Sequence, residues 1–260
     1  MIHTYKDIPI QYDVYGRGGD VVVLLHGFLE NSSMWKDIVP EVSKKNIVIT
    51  LDLLGHGETG CLGYVHTMEM MAEAVNTVLV HLKVVDQVTL IGHSMGGYVA
   101  LAYKELFSDK VNGLCLMNST PIEDSKEKKL NRDRAIDAVK NNHQTFIGMS
   151  VTNLFAEHNK ENLKDQIDEV KREALKTPLQ GIIAALEGMK IRKNREHILH
   201  DNHYKKMMII GRKDPVLDYE KLVKQISEID VELVVFSDGH MSHIENKEDL
   251  TYKLLQFIEK

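Results

Sequence analysis

Gly92-His93-Ser94-Met95-Gly96, followed at once by Gly97, stands between the short apolar run Val88-Thr89-Leu90-Ile91 and a helix-like segment from Tyr98 to Phe107. A G-x-S-x-G pentapeptide between a strand and a helix describes a sharp turn. Glycines leave room where the backbone crowds, and the central serine is forced into a strained conformation that pushes its hydroxyl outward. The helix that follows aims its amino end, with unpaired N–H groups and a partial positive charge, at that oxygen. Ser94 is therefore the candidate nucleophile.

Working outward, the flanking segments alternate. Val21-Val-Val-Leu-Leu25, Ile47-Val-Ile-Thr-Leu51 and Val111 to Met117 read as buried strands. Between Met68 and Leu82 the apolar residues Met68, Met71, Ala72, Val75, Val78, Leu79 and Leu82 share one helical face. Strand–helix–strand alternation implies an α/β fold, a mostly parallel twisted sheet with helices on both faces. Ile8 to Tyr15 with the turn Gly16-Arg-Gly-Gly19 suggests an antiparallel hairpin leading in. From Ile122 to Tyr204 strands vanish and helical stripes recur, one over Leu163, Ile167, Val170, Ala174 and Leu175 and one over Leu179 to Met189. Strands resume at Met207–Ile210 and Val231–Phe236, and a last helix runs from Lys247 to Ile258. The chain thus divides into a core, residues 1–121 and 205–260, and a packed helical insertion, residues 122–204.

A serine hydroxyl needs a general base that is itself oriented by a third group. The loops beyond two strand ends supply candidates: Asp214 in Gly211-Arg-Lys-Asp214-Pro215, and His240 in Ser237-Asp-Gly239-His240. Groups that act on ligands gather at this carboxyl edge of an open parallel sheet. Glu123 and Asp124 compete with Asp214, and His243 competes with His240. The charge that develops on a carbonyl oxygen needs preorganised donors, and losing one typically costs about 3–4 kcal/mol of barrier. The Met95 N–H after the serine is one. Gly27 in His26-Gly27-Phe28 would let the Phe28 N–H supply the other, with the Phe28 ring walling the pocket. Trp35, the only tryptophan, reads as core.

Taken together these residues resemble the α/β-hydrolase fold family, within it the lid-bearing serine esterases and hydrolases. The resemblance runs through His26-Gly27-Phe28, Asp52-Leu-Leu-Gly55-His56-Gly57, Gly92 to Gly97, Asp214, and Gly239-His240 with Glu245 following; Ser94, Asp214, His240 is the family's chain order. It implies a Ser94–His240–Asp214 triad, a structural turn at Asp52–Gly57 with His56 as scaffold, and a cap formed by 122–204. It also implies an acyl-enzyme mechanism on small to medium carboxylic esters, with Phe28, His93, Met149 and Phe155 as substrate contacts and Phe146, Ile147 and Leu154 nearby. A serine nucleophile excludes the aspartate-dependent dehalogenase and epoxide-hydrolase mechanisms. The same triad also serves carbon–carbon bond hydrolases, lyases and perhydrolases, and fold alone does not choose. A non-catalytic ligand receptor is disfavoured because all three candidates are present.

The rest of the 260 residues sets bounds. Net charge is −6 with a pI near 6.1, which argues against a nucleic-acid partner. No run of 18 apolar residues suggests a membrane span, and Met1–Gly16 carries no secretory pattern, so Cys61 and Cys115 read as reduced thiols of a cytoplasmic protein. His197, His200 and His203 recur every third residue, but no H-E-x-x-H accompanies them and Glu196 and Asp201 fit a solvated face; no metal is assigned. Lys126-Glu-Lys-Lys129 likewise reads as a solvated helix surface. The Gly16–Gly19 turn precedes a strand and not a helix, so it is no dinucleotide loop. Side chains and water suffice for the chemistry, and no cofactor is implied.

Overall fold

The computed structural model describes residues 1–260. The strands are β1 (Ile2–Tyr5), β2 (Ile8–Tyr15), β3 (Val21–Leu25), β4 (Ile47–Leu51), β5 (Val88–His93), β6 (Val111–Met117), β7 (Lys205–Gly211) and β8 (Glu232–Phe236). The helices are α1 (Val39–Val42), α2 (Met68–His81), α3 (Met95–Leu106), α4 (Lys126–Asn141), α5 (His143–Thr152), α6 (Lys164–Ala174), α7 (Leu179–Lys190), α8 (Glu196–Leu199), α9 (Tyr219–Ile226), α10 (Ser242–Glu245) and α11 (Lys247–Glu259). All eight strands form one sheet in the order β1-β2-β4-β3-β5-β6-β7-β8. The pairs from β4 to β8 are parallel, while β1 and β2 are antiparallel additions at one edge. No helix is long and apolar enough to cross a membrane.

The apolar runs that predict strands work because both faces of the sheet are covered. Along β3, Val21, Val23 and Leu25 join the core shared with α2 and α3, whereas Val22 and Leu24 join Trp35, α1 and α11 on the other face. β6 and β7 divide in the same way, Leu114, Leu116, Met208 and Ile210 on one side and Cys115, Met117, Met207 and Ile209 on the other. This is the period-2 alternation of a strand read in a sequence with no polar positions.

The amino-terminal hairpin differs from expectation. Its turn is Lys6-Asp7, both at positive φ, which joins β1 to β2. β2 then pairs antiparallel with β4, Tyr12 opposite Leu51, so Gly16–Gly19 is the loop into β3 and not a hairpin turn. Sequence proximity favoured β2–β3 pairing, but β3 has both edges occupied by β4 and β5. Helix α9, between β7 and β8, was not foreseen; its buried stripe is only Leu222 and Ile226.

Between β6 and β7 the chain makes α4 to α8. Ile136, Val139, Ile147, Val151, Ile167, Ile182 and Leu186 from this insertion belong to the same hydrophobic cluster as α2 and α3, so it has no separate core. Helix α7 is seated backbone to backbone on the loop before α2. The His66 N–H donates to the Ala184 carbonyl at 2.9 Å, and a Cβ on Gly188 would stand 1.7 Å from the His66 carbonyl oxygen.

That contact tolerates no methyl group, and overpacking typically costs about 1–3 kcal/mol. Gly188→Ala is expected to lower the unfolding free energy by at least that amount in urea titrations. An unaffected midpoint would show that α7 is not held there.

Candidate active site

The sheet order contains a reversal: from β3 the chain moves outward to β4, and from β5 it moves the other way to β6. Such a switch point opens a crevice at the carboxyl ends of the strands. The loops after β3 and β5 flank it, and those after β7 and β8 reach it.

Ser94 occupies the turn from β5 to α3 with φ 49° and ψ −111°, a region a residue with a side chain rarely enters; such strain costs about 1–3 kcal/mol and must be held by its surroundings. The Ser94 N–H donates to Met117 O at 2.9 Å, and its carbonyl accepts from the Ser119 hydroxyl at 2.7 Å and from Gly97 N at 3.0 Å. The turn closes because Gly92 and Gly96 lack side chains. A Cβ on Gly92 would meet the Gly96 carbonyl at 2.4 Å, and one on Gly96 would meet the Leu25 carbonyl oxygen at 2.2 Å.

The structure brings Ser94, His240 and Asp214 into one chain of contacts. Ser94 Oγ lies 2.9 Å from His240 Nε2, and His240 Nδ1 lies 2.7 Å from Asp214 Oδ2. Burial alone would raise the Asp214 carboxyl, but His240 and the donors around it hold it below the usual carboxylate range. A carboxylate only accepts, so the shared hydrogen sits on Nδ1 and Nε2 is left to accept from the serine hydroxyl. Asp214 Oδ1 also accepts from Val216 N at 2.8 Å and Leu217 N at 3.1 Å, and Oδ2 accepts from Asn118 Nδ2 at 3.1 Å. Asn118, at φ 46° directly after β6, further donates to Gly239 O at 3.2 Å and accepts from the Ser242 hydroxyl at 2.7 Å. It clamps the acid loop to the histidine loop. Its sequence signal was slight: a polar residue at the end of an apolar strand.

A second polar group ties the site together. Glu30 Oε2 accepts from Gly27 N at 2.6 Å and lies 2.7 Å from His93 Nδ1, while His93 Nε2 lies 3.0 Å from the His240 carbonyl oxygen. Both partners are acceptors, so the contacts favour the protonated ring, in which both His93 nitrogens donate. Burial pushes His93 down, yet Glu30 holds it above its ordinary 6.5. Burial likewise pushes Glu30 up, but His93, with His243 and His26 beyond it, holds the carboxyl down at about 2. Glu30, missed in the sequence, thus anchors the loop carrying Phe28 to the Ser94 turn and to the His240 backbone.

The competing candidates lie elsewhere. Glu123 is exposed, and Asp124 is buried between Arg132 and Arg192. His243, in α10, is buried beside Glu30, its Nε2 3.8 Å from Oε1, and desolvation depresses it to about 4. His56 is buried with Nδ1 3.1 Å from Leu54 O, and Asp52 accepts from Ser32 N and Glu58 N. His197, His200 and His203 are exposed. The histidine and carboxylate atoms that converge within 4.8 Å are those of Glu30, His93 and His243, but His93 Nδ1 is committed to Glu30, and a cation there would first have to break that pair.

A cavity of about 140 Å³ opens over Ser94 and His240, walled by Phe28, His93, Tyr98 and Val216 from the core. The insertion contributes Arg132, Ser150, Leu154 and Met189. Two expected contacts are corrected here. Met149 is 62% exposed and Phe155, 2% exposed, is absorbed in the hydrophobic core; neither lines the cavity. Each lies one residue from a position that does: rotation of α5 turns Ser150 inward and Met149 out, and in the turn after α5 the bond from His240 N to Leu154 O goes with Leu154 at the cavity and Phe155 in the core. His93 lines the cavity but spends both nitrogens on the protein. Phe28 N donates to no group of the chain, and Met95 N, first in α3, precedes the i−4 ladder. A cavity of about 180 Å³ beyond Glu30 and His243 contains no part of Ser94.

The chain belongs to the alpha/beta hydrolase fold family, whose model matches residues 20–247. A thermophilic esterase from Thermogutta terrifontis, solved with malate bound, is 29% identical and superposes with a TM-score of 0.91 over 97% of this chain and 93% of its own. The dihydrolipoyllysine-residue acetyltransferase component of the acetoin cleaving system of Pseudomonas putida is 26% identical over 253 residues, 96% of this chain and 66% of that protein. The 2-hydroxy-6-oxo-6-(2'-aminophenyl)hexa-2,4-dienoic acid hydrolase of Metapseudomonas resinovorans is 30% identical over 104 residues, 39% of this chain and 36% of its own. The chain spans less than two thirds of the length of these curated relatives.

The Glu30–His93 pair has a pH signature. A depressed carboxyl stabilises the fold fully above about 4.5 and loses that contribution as pH falls toward about 2. A raised imidazole stabilises fully below about 6.5 and loses its contribution as pH rises through the folded value. The pair therefore contributes most between about pH 4.5 and 6.5. Glu30→Gln is expected to cost about 3–5 kcal/mol there and less at both lower and higher pH, read from denaturant titrations across that range. A difference that does not vary with pH would refute the ion pair.

Proposed function

We propose that this chain is a serine hydrolase of small carboxylic esters, acting through an acyl-enzyme on Ser94 under a cap formed by residues 122–204. The observation that carries this reading is the continuous contact from Ser94 Oγ to His240 Nε2, 2.9 Å, and from His240 Nδ1 to Asp214 Oδ2, 2.7 Å, at the switch point of the sheet. Ser94 Oγ attacks the ester carbonyl carbon while His240 Nε2 takes its proton. The oxygen that becomes negative accepts from the Phe28 and Met95 N–H groups. Asp214 keeps the hydrogen on Nδ1 and stabilises the imidazolium that forms. The tetrahedral intermediate collapses, the alkoxide leaves with the proton from Nε2, and the acyl group remains on Ser94. Water, deprotonated by the same nitrogen, repeats the attack and releases the acid.

The small cavity, with Phe28, Leu154 and Met189 among its walls, suits a short apolar portion. The similarity to a thermophilic esterase supports the ester reading. A second reading, carbon–carbon bond hydrolysis by the same residues, is favoured by the likeness to the hexadienoic acid hydrolase over residues amounting to 39% of this chain.

Ser94→Ala is expected to lower kcat on 4-nitrophenyl acetate by about 10⁴–10⁶-fold, and Asp214→Asn by about 10⁴-fold. A fluorophosphonate probe should label wild type and not Ser94→Ala. Undiminished hydrolysis by the serine variant would reject the proposal. Wild type inert on esters but active on a vinylogous 1,5-diketone would select the second reading.

A further inference from the structure

The segment Asn131-Arg132-Asp133-Arg134 lies in a helix whose first turn is a solvated run of charge, yet Arg132 is not part of that surface. It stands four residues before Ile136 and seven before Val139, the two buried positions of α4, and so shares their face. Its side chain is 19% exposed, and it lines the same cavity as Ser94 and His240.

The charge around it does not cancel. Arg132 Nε donates to Asp124 Oδ2, and Arg192 Nη1 donates to Asp124 Oδ1 at 2.5 Å. One buried carboxylate thus serves two guanidinium groups. Arg192 is further engaged: it donates to Met189 O at 3.1 Å and Ile122 O at 2.9 Å, and its guanidinium stacks 4.0 Å from the centre of the Tyr98 ring. Arg132 is bound through Nε alone, and its two terminal nitrogens donate to no group of the protein. The other acidic groups near the cavity are already engaged, Glu30 by His93 and both oxygens of Asp214 by hydrogen bonds from His240 and the amide donors around it. A half-buried guanidinium held rigid on one edge, with its donor pair unspent, is suited to bidentate capture of a carboxylate. Ser150, from α5, lines the same wall and adds a hydroxyl.

We infer that Arg132 binds an anionic group of the substrate, so that the preferred substrates are esters or lactones that carry a second, free carboxylate. This rests on the ester reading above and narrows it. The insertion supplies the charge recognition and the core supplies the reacting groups.

The test compares neutral and anionic esters matched in length: 4-nitrophenyl hydrogen glutarate against 4-nitrophenyl methyl glutarate, with charge on the acyl side, and 4-carboxyphenyl acetate against its methyl ester, with charge on the leaving group. Spontaneous hydrolysis is subtracted. In wild type the anionic member of at least one pair is expected to have kcat/KM about tenfold higher or more, the usual scale of one charged hydrogen-bonded contact. Arg132→Gln should remove that preference mainly through KM, and Arg132→Lys should restore part of it. The wild-type ratio needs no variant, so misfolding of Arg132→Gln would not shield the inference. Hydrolysis of the neutral esters with no anionic preference in either pair overturns the inference and leaves ester hydrolysis standing, as does a preference that survives in folded Arg132→Gln. Inertness towards all four esters overturns both.

Discussion

The buried pair between Glu30 and His93 governs how this site is assembled. Three loops that follow three different strands must meet at one point, and each is a loop with few contacts of its own. Glu30 holds the Gly27 amide after β3, His93 ends β5 at the Ser94 turn, and the far nitrogen of His93 holds the His240 carbonyl after β8. Burying two charges is costly, and the cost is offset only if the geometry is close and the remaining hydrogens find acceptors. Here both imidazole hydrogens do. The pair links the backbone beside the proposed oxyanion donor to the backbone of the proposed base, so the distance between those groups follows from one charge-assisted contact.

Strain and packing are coupled through the same turn. Ser94 sits in a sparsely populated region of φ and ψ, and it stays there because β6 accepts its N–H and Ser119 donates to its carbonyl. Asn118 and Ser119, consecutive residues at the end of β6, thereby support the serine on one side and the acid on the other. The β6 end contributes no reacting group, yet it sets the registry of both.

The helical insertion meets the core in two different ways. Helix α7 touches backbone to backbone through Gly181 and Gly188 and is fixed. The segment after α5 is joined instead by polar contacts around the histidine loop: His240 N donates to Leu154 O at 2.9 Å, and Glu245 accepts from Ala156 N and Asn159. These contacts place Leu154 against the cavity and turn Phe155 into the core. They also bring α4 and α5 over Ser94, which adds a guanidinium to a wall that is otherwise mostly apolar.

The parallel strands and the elbow were legible from local chemistry, whereas β1 was not read. Both-face burial writes strands as unbroken β-branched runs, and the Gly92–Gly97 turn is confined by steric limits that only glycine meets. Loops directly beyond strand ends could be read the same way, which is how Asp214 and His240 stood out as residues that a parallel sheet gathers at one edge. The pairing of β2 with β4, the side of α5 that faces inward, the clamp at Asn118 and the Glu30–His93–His240 linkage were not legible. Each depends on contacts between residues from 33 to 147 positions apart, and helix rotation or strand order, invisible in local periodicity, decides them. Arg132 is the sharpest case: it lies just past the charged run Lys126–Lys129 and nothing in the sequence singled it out, and its place beside Ser94 exists only because α4 lies on the core through Ile136 and Val139.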